Sequence, residues 1–164
     1  MTAFVALGAN LGDARGTVIR AMRALEILSD GPLIRSALWE TEPVDCPPAS
    51  PKFVNAVIGL TPLKNETPES LLVKLQQLER EFGRQPKTVL NEARALDLDL
   101  IAFGSQIRRT NQLVLPHPRA HERRFVLKPL SEIAPGLVLP GQNKSVTQLL
   151  AQLPPDQSIR KMSA

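Results

Sequence analysis

Two aspartates one residue apart, Asp97 and Asp99, stand inside an otherwise apolar stretch, ARALDLDLIAFG, from Ala93 to Gly104. Read as a strand, the stretch splits by parity. Leu96, Leu98, Leu100 and Ala102 point one way, and Asp97, Asp99, Ile101 and Phe103 point the other. A buried leucine row anchors such a strand and sets both carboxylates side by side on its opposite face. Like charges at that spacing repel, and a cation between them relieves the repulsion. Carboxylate oxygens are hard ligands that suit Mg²⁺, which takes one or two protein carboxylates and leaves its other positions to water and phosphate. A pair of this kind can hold one or two ions against a triphosphate, as phosphoryl transfer requires. The alternative, two solvated aspartates on an exposed face, leaves poor strand formers in a leucine-rich strand without a reason.

Three further groups of residues have chemical potential. In LPHPRAHERRF, Pro116 and Pro118 fix the backbone around His117, and Arg119, Arg123 and Arg124 follow closely. A histidine with several arginines at a rigid turn can bind phosphates through charge-assisted, bidentate hydrogen bonds, and it can equally be a basic surface turn. Arg84 and Arg94 flank the polar loop before the aspartates, where they could fold over a polyphosphate or stay solvated. Phe53 and Asn55 share one strand face, an aromatic surface beside an amide with both donors and acceptors. That pairing suits a flat heterocycle, although a strand phenylalanine by itself reads as core.

The elements that must position these groups follow from the pattern. Ala3 to Leu7 is a continuous apolar run, read as a central strand, and Asp13 is placed to cap the next helix. That helix runs to about Ser29, with Val18, Met22, Leu25 and Leu28 on one face. Leu33 to Trp39 reads as a second strand. Four prolines from Pro43 to Pro51 make a shaped loop. Phe53 to Leu60 is a third strand. Thr67 caps a helix that has Pro68 at its first position and Leu71, Leu75, Leu78 and Phe82 inward. After the aspartate strand come a short edge strand near Ile107 to Arg109, a short helical segment, and a last helix from about Ser145 to Leu153. The tail from about residue 154 is expected to be loose. The order β-α-β-β-α-β predicts an α+β, ferredoxin-like sandwich, with an antiparallel-rich sheet and helices on one face.

Composition narrows the classes. At 164 residues, with 43% hydrophobic and 22% charged, the chain suits one soluble domain with a real core. One cysteine, Cys46, excludes an internal disulfide framework and suits a reducing cytosol. No signal peptide and no apolar run of spanning length is evident, so a cytoplasmic protein without membrane attachment is expected. A net charge of +4 allows an anionic ligand, but aromatics at 4% leave little for stacking bases, which argues against nucleic acid.

Taken together these segments resemble the 6-hydroxymethyl-7,8-dihydropterin pyrophosphokinase family, and the resemblance runs through nearly the whole chain. It rests on FVALGANLGD, WETEPV, FVNAVIGL and LEREFGR, and most specifically on ARALDLDLIAFG followed by LPHPRAHERRFVLKPLSEIAP. It implies transfer of pyrophosphate from ATP to the pterin hydroxymethyl group with release of AMP, in folate biosynthesis, by a chain expected to act as a monomer. It further implies two Mg²⁺ ions on Asp97 and Asp99, with Arg84 and Arg94 stabilising charge. Gln76, Glu79, Arg84, Arg94, Leu100, His117 and Arg123 become the nucleotide-binding positions. The pterin is expected to stack between Phe53 and Phe125, read by Asn55, Asp97 and the backbone around Thr41, Pro43 and Val44.

The stretch PKTVLNEAR departs from the family's pattern. Pro86 and Leu90 stand where arginines are usual, Asn91 replaces a tryptophan, Glu92-Ala93 replaces Gly-Pro, and Gln112 takes a commonly basic position. Lys87 offers a point charge in place of an arginine fork. A looser cover over ATP is therefore expected. Three competing readings are another Mg²⁺-dependent phosphotransferase or nucleotidyltransferase using the same aspartates, a nucleotide-binding module without turnover, and a nucleic-acid binder.

Overall fold

The first apolar run forms β1 (Ala3–Ala9), buried at every position between a neighbouring strand on each side and helices on both faces. The computed structural model describes residues 1–42, 51–83, 95–155 and 158–163. β1 pairs antiparallel with β4 (Phe53–Leu60) and β5 (Asp97–Phe103), and β4 pairs with β3 (Trp39–Thr41). The order β5-β1-β4-β3 is the ferredoxin-like arrangement that the element order predicts.

Both long helices begin as their caps dictate. The Asp13 carboxylate accepts the Gly16 N–H at 3.0 Å to start α1 (Ala14–Leu25), which ends in a 3₁₀ turn, Glu26–Leu28. Thr67 and Ser70 bond reciprocally at the start of α2 (Pro68–Glu81), with Pro68 at the first position, where its missing N–H costs nothing. Val18, Met22 and Leu25 of α1 and Leu71 and Leu75 of α2 bury against Val5, Leu7, Ala56, Ile58, Leu98 and Leu100.

Four expectations need correction. Leu33 to Trp39 is two strands, β2 (Ile34–Arg35) and β3, each pairing with β4. The break comes at Ser36, whose side-chain oxygen accepts the Val57 N–H at 2.9 Å, while the Ala37 N–H turns away to Glu132 at 3.0 Å. The parity of β5 holds only to Ile101. Opposite Phe4 and Val5 the register jumps from Leu100 to Ala102, so Ile101 is an extra residue in a β-bulge. Ile101 and Ala102 therefore pack on the aspartate side, and Phe103 returns to the leucine side.

Helices cover both faces. α3 (Arg124–Ile133) and α4 (Val146–Ala151) pack Val126, Leu127, Leu130, Val146 and Leu149 against Phe4, Ala6 and Val57 on the second face. The segment expected to be loose from about 154 closes with β8 (Ile159–Lys161), which pairs antiparallel with β3 and extends the sheet. Between β5 and α3 lie a hairpin, β6 (Arg108–Arg109) with β7 (Val114–Leu115), and a 3₁₀ turn, Ala120–Glu122. No helix among the described residues is long and apolar enough to cross a membrane.

Candidate active site

The register of three strands brings the polar residues into one row. Gly8 of β1 lies opposite Asn55 on one side and Asp97 on the other, and Ala6 lies opposite Val57 and Asp99. Since Ala6 and Val57 belong to the α3 face, Asn55, Gly8, Asp97 and Asp99 occupy that face beyond its apolar part. Gly8 keeps the middle of the row bare, because a β-carbon there would stand 3.0 Å from Asn55 Oδ1. The Asn55 amide is held in one orientation. Its Nδ2 donates to Thr41 Oγ1 at 2.8 Å within a buried pair, and Oδ1 is left on the Gly8 side as an acceptor.

Asp97 and Asp99 are half-buried, and their charges act on Arg123 and His117 of the LPHPRAHERRF turn. Arg123 has its pKa held below its usual value, first by burial and next by Arg119, while Asp99 and Asp97 pull it back up. Its guanidinium carbon lies 5.4 Å from the centre of the Phe125 ring, in the first turn of α3. Burial, followed by the charge of Arg123, pushes His117 down from 6.5 to about 4, against the opposing pull of Asp97. His117 is thus neutral near pH 7. Its Nδ1 accepts the Arg119 N–H at 3.2 Å, so Nε2 carries the proton and is a donor.

The outer edge of β5 carries the next group. Glu79, buried on α2, accepts the Leu98 N–H at 2.8 Å, and the His117 N–H donates to the Ile101 carbonyl at 2.8 Å. Gln76 is exposed one turn earlier on α2. Leu100 departs from this group, because its side chain is buried in the α1/α2 core and leaves only backbone toward the edge. Phe53 opens β4 opposite Thr41 and is half-exposed at the polar end of the sheet. Arg84, Arg94, Pro43 and Val44 lie outside the described residues.

Two contributors escaped the sequence reading. Gly8 interrupts an apolar strand, a signal that marks close approach of backbone or ligand and could have been used. Glu132 of α3 offers no local signal, since its partners are far along the chain. It accepts the Trp39 indole N–H at 2.8 Å and the Ala37 N–H, while Lys128 and Lys161 lie 5.6 and 6.0 Å from the Trp39 ring. This cluster holds Trp39 directly opposite Asn55.

The donor set fits Mg²⁺. Among the described residues no three His, Cys, Asp or Glu side chains converge, so these residues offer a carboxylate pair rather than a full cage. Mg²⁺ is bound in that way when water and substrate phosphates complete its shell.

A ferredoxin-like sheet whose polar end joins paired carboxylates, a half-buried guanidinium and an oriented amide has the make-up of a phosphotransferase site. Comparison with known proteins narrows the class. A family model described as 7,8-dihydro-6-hydroxymethylpterin-pyrophosphokinase (HPPK) matches residues 4–135. The chain is 36% identical over 165 residues to the 2-amino-4-hydroxy-6-hydroxymethyldihydropteridine pyrophosphokinase of Haemophilus influenzae, covering 98% of each. It is 38% identical over 152 residues to the enzyme of the same name from Pseudomonas aeruginosa, covering 92% of this chain and 91% of that one. The chain belongs to this pyrophosphokinase family of folate synthesis. Among solved structures, an HPPK-DHPS in complex with substrates superposes with a TM-score of 0.71 at 13% identity, over 92% of this chain and 44% of that longer one. The wild-type Plasmodium falciparum HPPK-DHPS with pteroate gives 0.67 at 15% identity, over 92% and 42%. The fold is therefore that of HPPK domains, and the chain spans less than half of those longer proteins.

Proposed function

We propose that this chain transfers pyrophosphate from MgATP to 6-hydroxymethyl-7,8-dihydropterin, giving the pterin diphosphate and AMP. The row Asn55–Gly8–Asp97 carries the reading, because it puts an oriented hydrogen-bonding edge beside a carboxylate pair on one sheet face. The pterin hydroxyl oxygen bonds to the β-phosphorus, the bond from that phosphorus to the bridging α–β oxygen breaks, and the hydroxyl proton leaves to solvent.

Each group then has a task of position or charge. Asn55, its amide fixed by Thr41, reads the pterin edge together with Asp97 and the backbone around Thr41, Pro43 and Val44. Phe53 and Phe125 hold the flat ring. Asp97 and Asp99 would hold Mg²⁺, two ions by this reading, which when bound neutralises phosphate charge. Arg123 and the His117 Nε2–H supply donors to the nucleotide, Glu79, Gln76 and the Leu100 backbone bound its other end, and Arg84 and Arg94 complete the charge stabilisation. The reaction needs no second copy of the chain, and we take it to work as a monomer in the cytoplasm, without nucleic acid or membrane.

AMP release from ATP and Mg²⁺, with and without 6-hydroxymethyl-7,8-dihydropterin, tests the reading. Pterin-dependent AMP is expected. Pyrophosphate as the released product, or ATP binding without turnover, would replace it with a nucleotidyltransferase or a binding module. The departures in PKTVLNEAR add a second expectation: Leu90→Arg should tighten ATP binding about three- to tenfold, one charge-assisted contact's worth. An unchanged ATP titration would show that this loop is not deficient.

A further inference from the structure

On the sheet face opposite the aspartates, α1 and the interrupted β2–β3 segment border a cavity of about 460 Å³, a size suited to a small molecule. Its apolar lining is Ile19, Met22, Leu38 and Met162. Arg15 and Arg23 stand on the same stripe of α1 as Ile19, two turns or roughly 12 Å of helix apart. Arg35 adds a third guanidinium but is paired with Glu26, and Lys161, which also borders the space, is paired with Glu132.

The two helix arginines are different. Among the described residues Arg23 makes no ion pair and Arg15 hydrogen-bonds only to the Ser163 carbonyl, at 3.4 Å. Arg15 also lies in the first turn of α1, where the positive end of the helix disfavours a cation and the nearest acid, the N-cap Asp13, is engaged with the Gly16 N–H. An apolar floor thus sits beside two exposed guanidinium groups that make no ion pair among the described residues. The complement is a molecule with an apolar body and an anionic group, since anion binding relieves the charge while the body covers Ile19, Met22, Leu38 and Met162.

We propose that this cavity is a second binding site, for a small amphipathic anion of the carboxylate, sulfonate or phosphate type, separate from the aspartate site. The test is a fluorescence titration of the full chain with 8-anilinonaphthalene-1-sulfonate. Saturable one-to-one binding is expected, unchanged in Asp97→Ala and at least about tenfold weaker in the double variant Arg15→Glu/Arg23→Glu. Octanoate should displace the probe and inorganic phosphate at equal concentration should not, which separates an amphipathic site from a bare anion site. Both arginines are exposed, so the double variant should unfold at the wild-type temperature; if it does not fold, Arg15→Gln/Arg23→Gln decides, with an intermediate loss expected. Absence of saturable binding, binding that survives both pairs of substitutions, loss in Asp97→Ala, or displacement by phosphate alone would overturn the proposal. None of these readouts depends on pterin turnover.

Discussion

The two faces of the central strands differ along their length. On the α1/α2 face, β1, β4 and β5 are apolar from end to end: Val5, Leu7 and Ala9; Val54, Ala56, Ile58 and Leu60; Leu98, Leu100 and Phe103, with Leu96 just before β5. On the α3/α4 face the same strands are apolar only at one end, through Phe4, Ala6, Val57 and Ile101. Beside Ala6 that face carries Asp99, and past it Gly8, Asn55 and Asp97. One face is spent wholly on packing, and half of the other is released from it. The anchored face lets two mutually repelling carboxylates stay in register, because the leucines alternating with them are each worth about 1.5–3 kcal/mol of burial. The polar half-face is affordable only over such a core.

The sharpest way to break this contrast is to delete chemistry without touching packing. Asp97→Ala should cut pterin-dependent AMP release roughly 10²–10³-fold while moving the unfolding midpoint little, since the repulsion from Asp99 and the attraction to Arg123 are lost together. A parallel loss of stability would mean that Asp97 is a structural residue. The opposite substitution deletes packing without chemistry. Leu75, fully buried on the α1/α2 face, should cost about 2–5 kcal/mol as Leu75→Ala in denaturant unfolding, with the pterin KM unmoved. A raised KM at preserved stability would show that the two faces are not separable.

Much of this division was legible in the sequence, and its failures share a cause. Alternation placed Asp97 and Asp99 on one side and Leu96, Leu98 and Leu100 on the other, because period-two patterning is a local property of the strand. It failed at Ala102 and Phe103, where the bulge at Ile101 depends on how β1 and β5 align and not on either sequence alone. The break at Ser36 was hidden for the same reason, being made by the Val57 N–H and by Glu132 from far along the chain. β8 escaped because Ile159–Lys161 has no apolar alternation and exists by pairing with β3. Within the site, Asn55 was visible but its orientation by Thr41 was not, since residue type fixes an amide's capacity and not its direction.

That orientation sharpens the comparison at smaller amplitude. Thr41→Val removes the acceptor of the Asn55 Nδ2–H without changing side-chain shape, leaving a buried donor unpaired and the amide free to rotate. The pterin KM should rise about tenfold with kcat nearly kept, and Thr41→Ser should restore it. Equal loss in the serine variant would mean that the threonine methyl, and therefore packing, sets the slot.

The smallest expected effect lies at the margin between the two regions, at His117. Its folded pKa of about 4 lies below the ordinary 6.5 because burial, then Arg123, disfavours the cation. The unfolded chain therefore takes up this proton first as pH falls, and between the two values it holds more protons than the folded chain. Stability must rise with pH across that window: the contribution is fully present above 6.5 and is lost as pH falls toward 4. Urea unfolding at pH 7 and pH 5, where the carboxylates are still largely ionised, should show the wild type losing more stability than His117→Gln. Identical slopes would mean that the imidazole is solvated in the folded chain. The polar half-face would then begin nearer the core than Asp97, with the turn held by Pro116 and Pro118 rather than by a buried neutral ring.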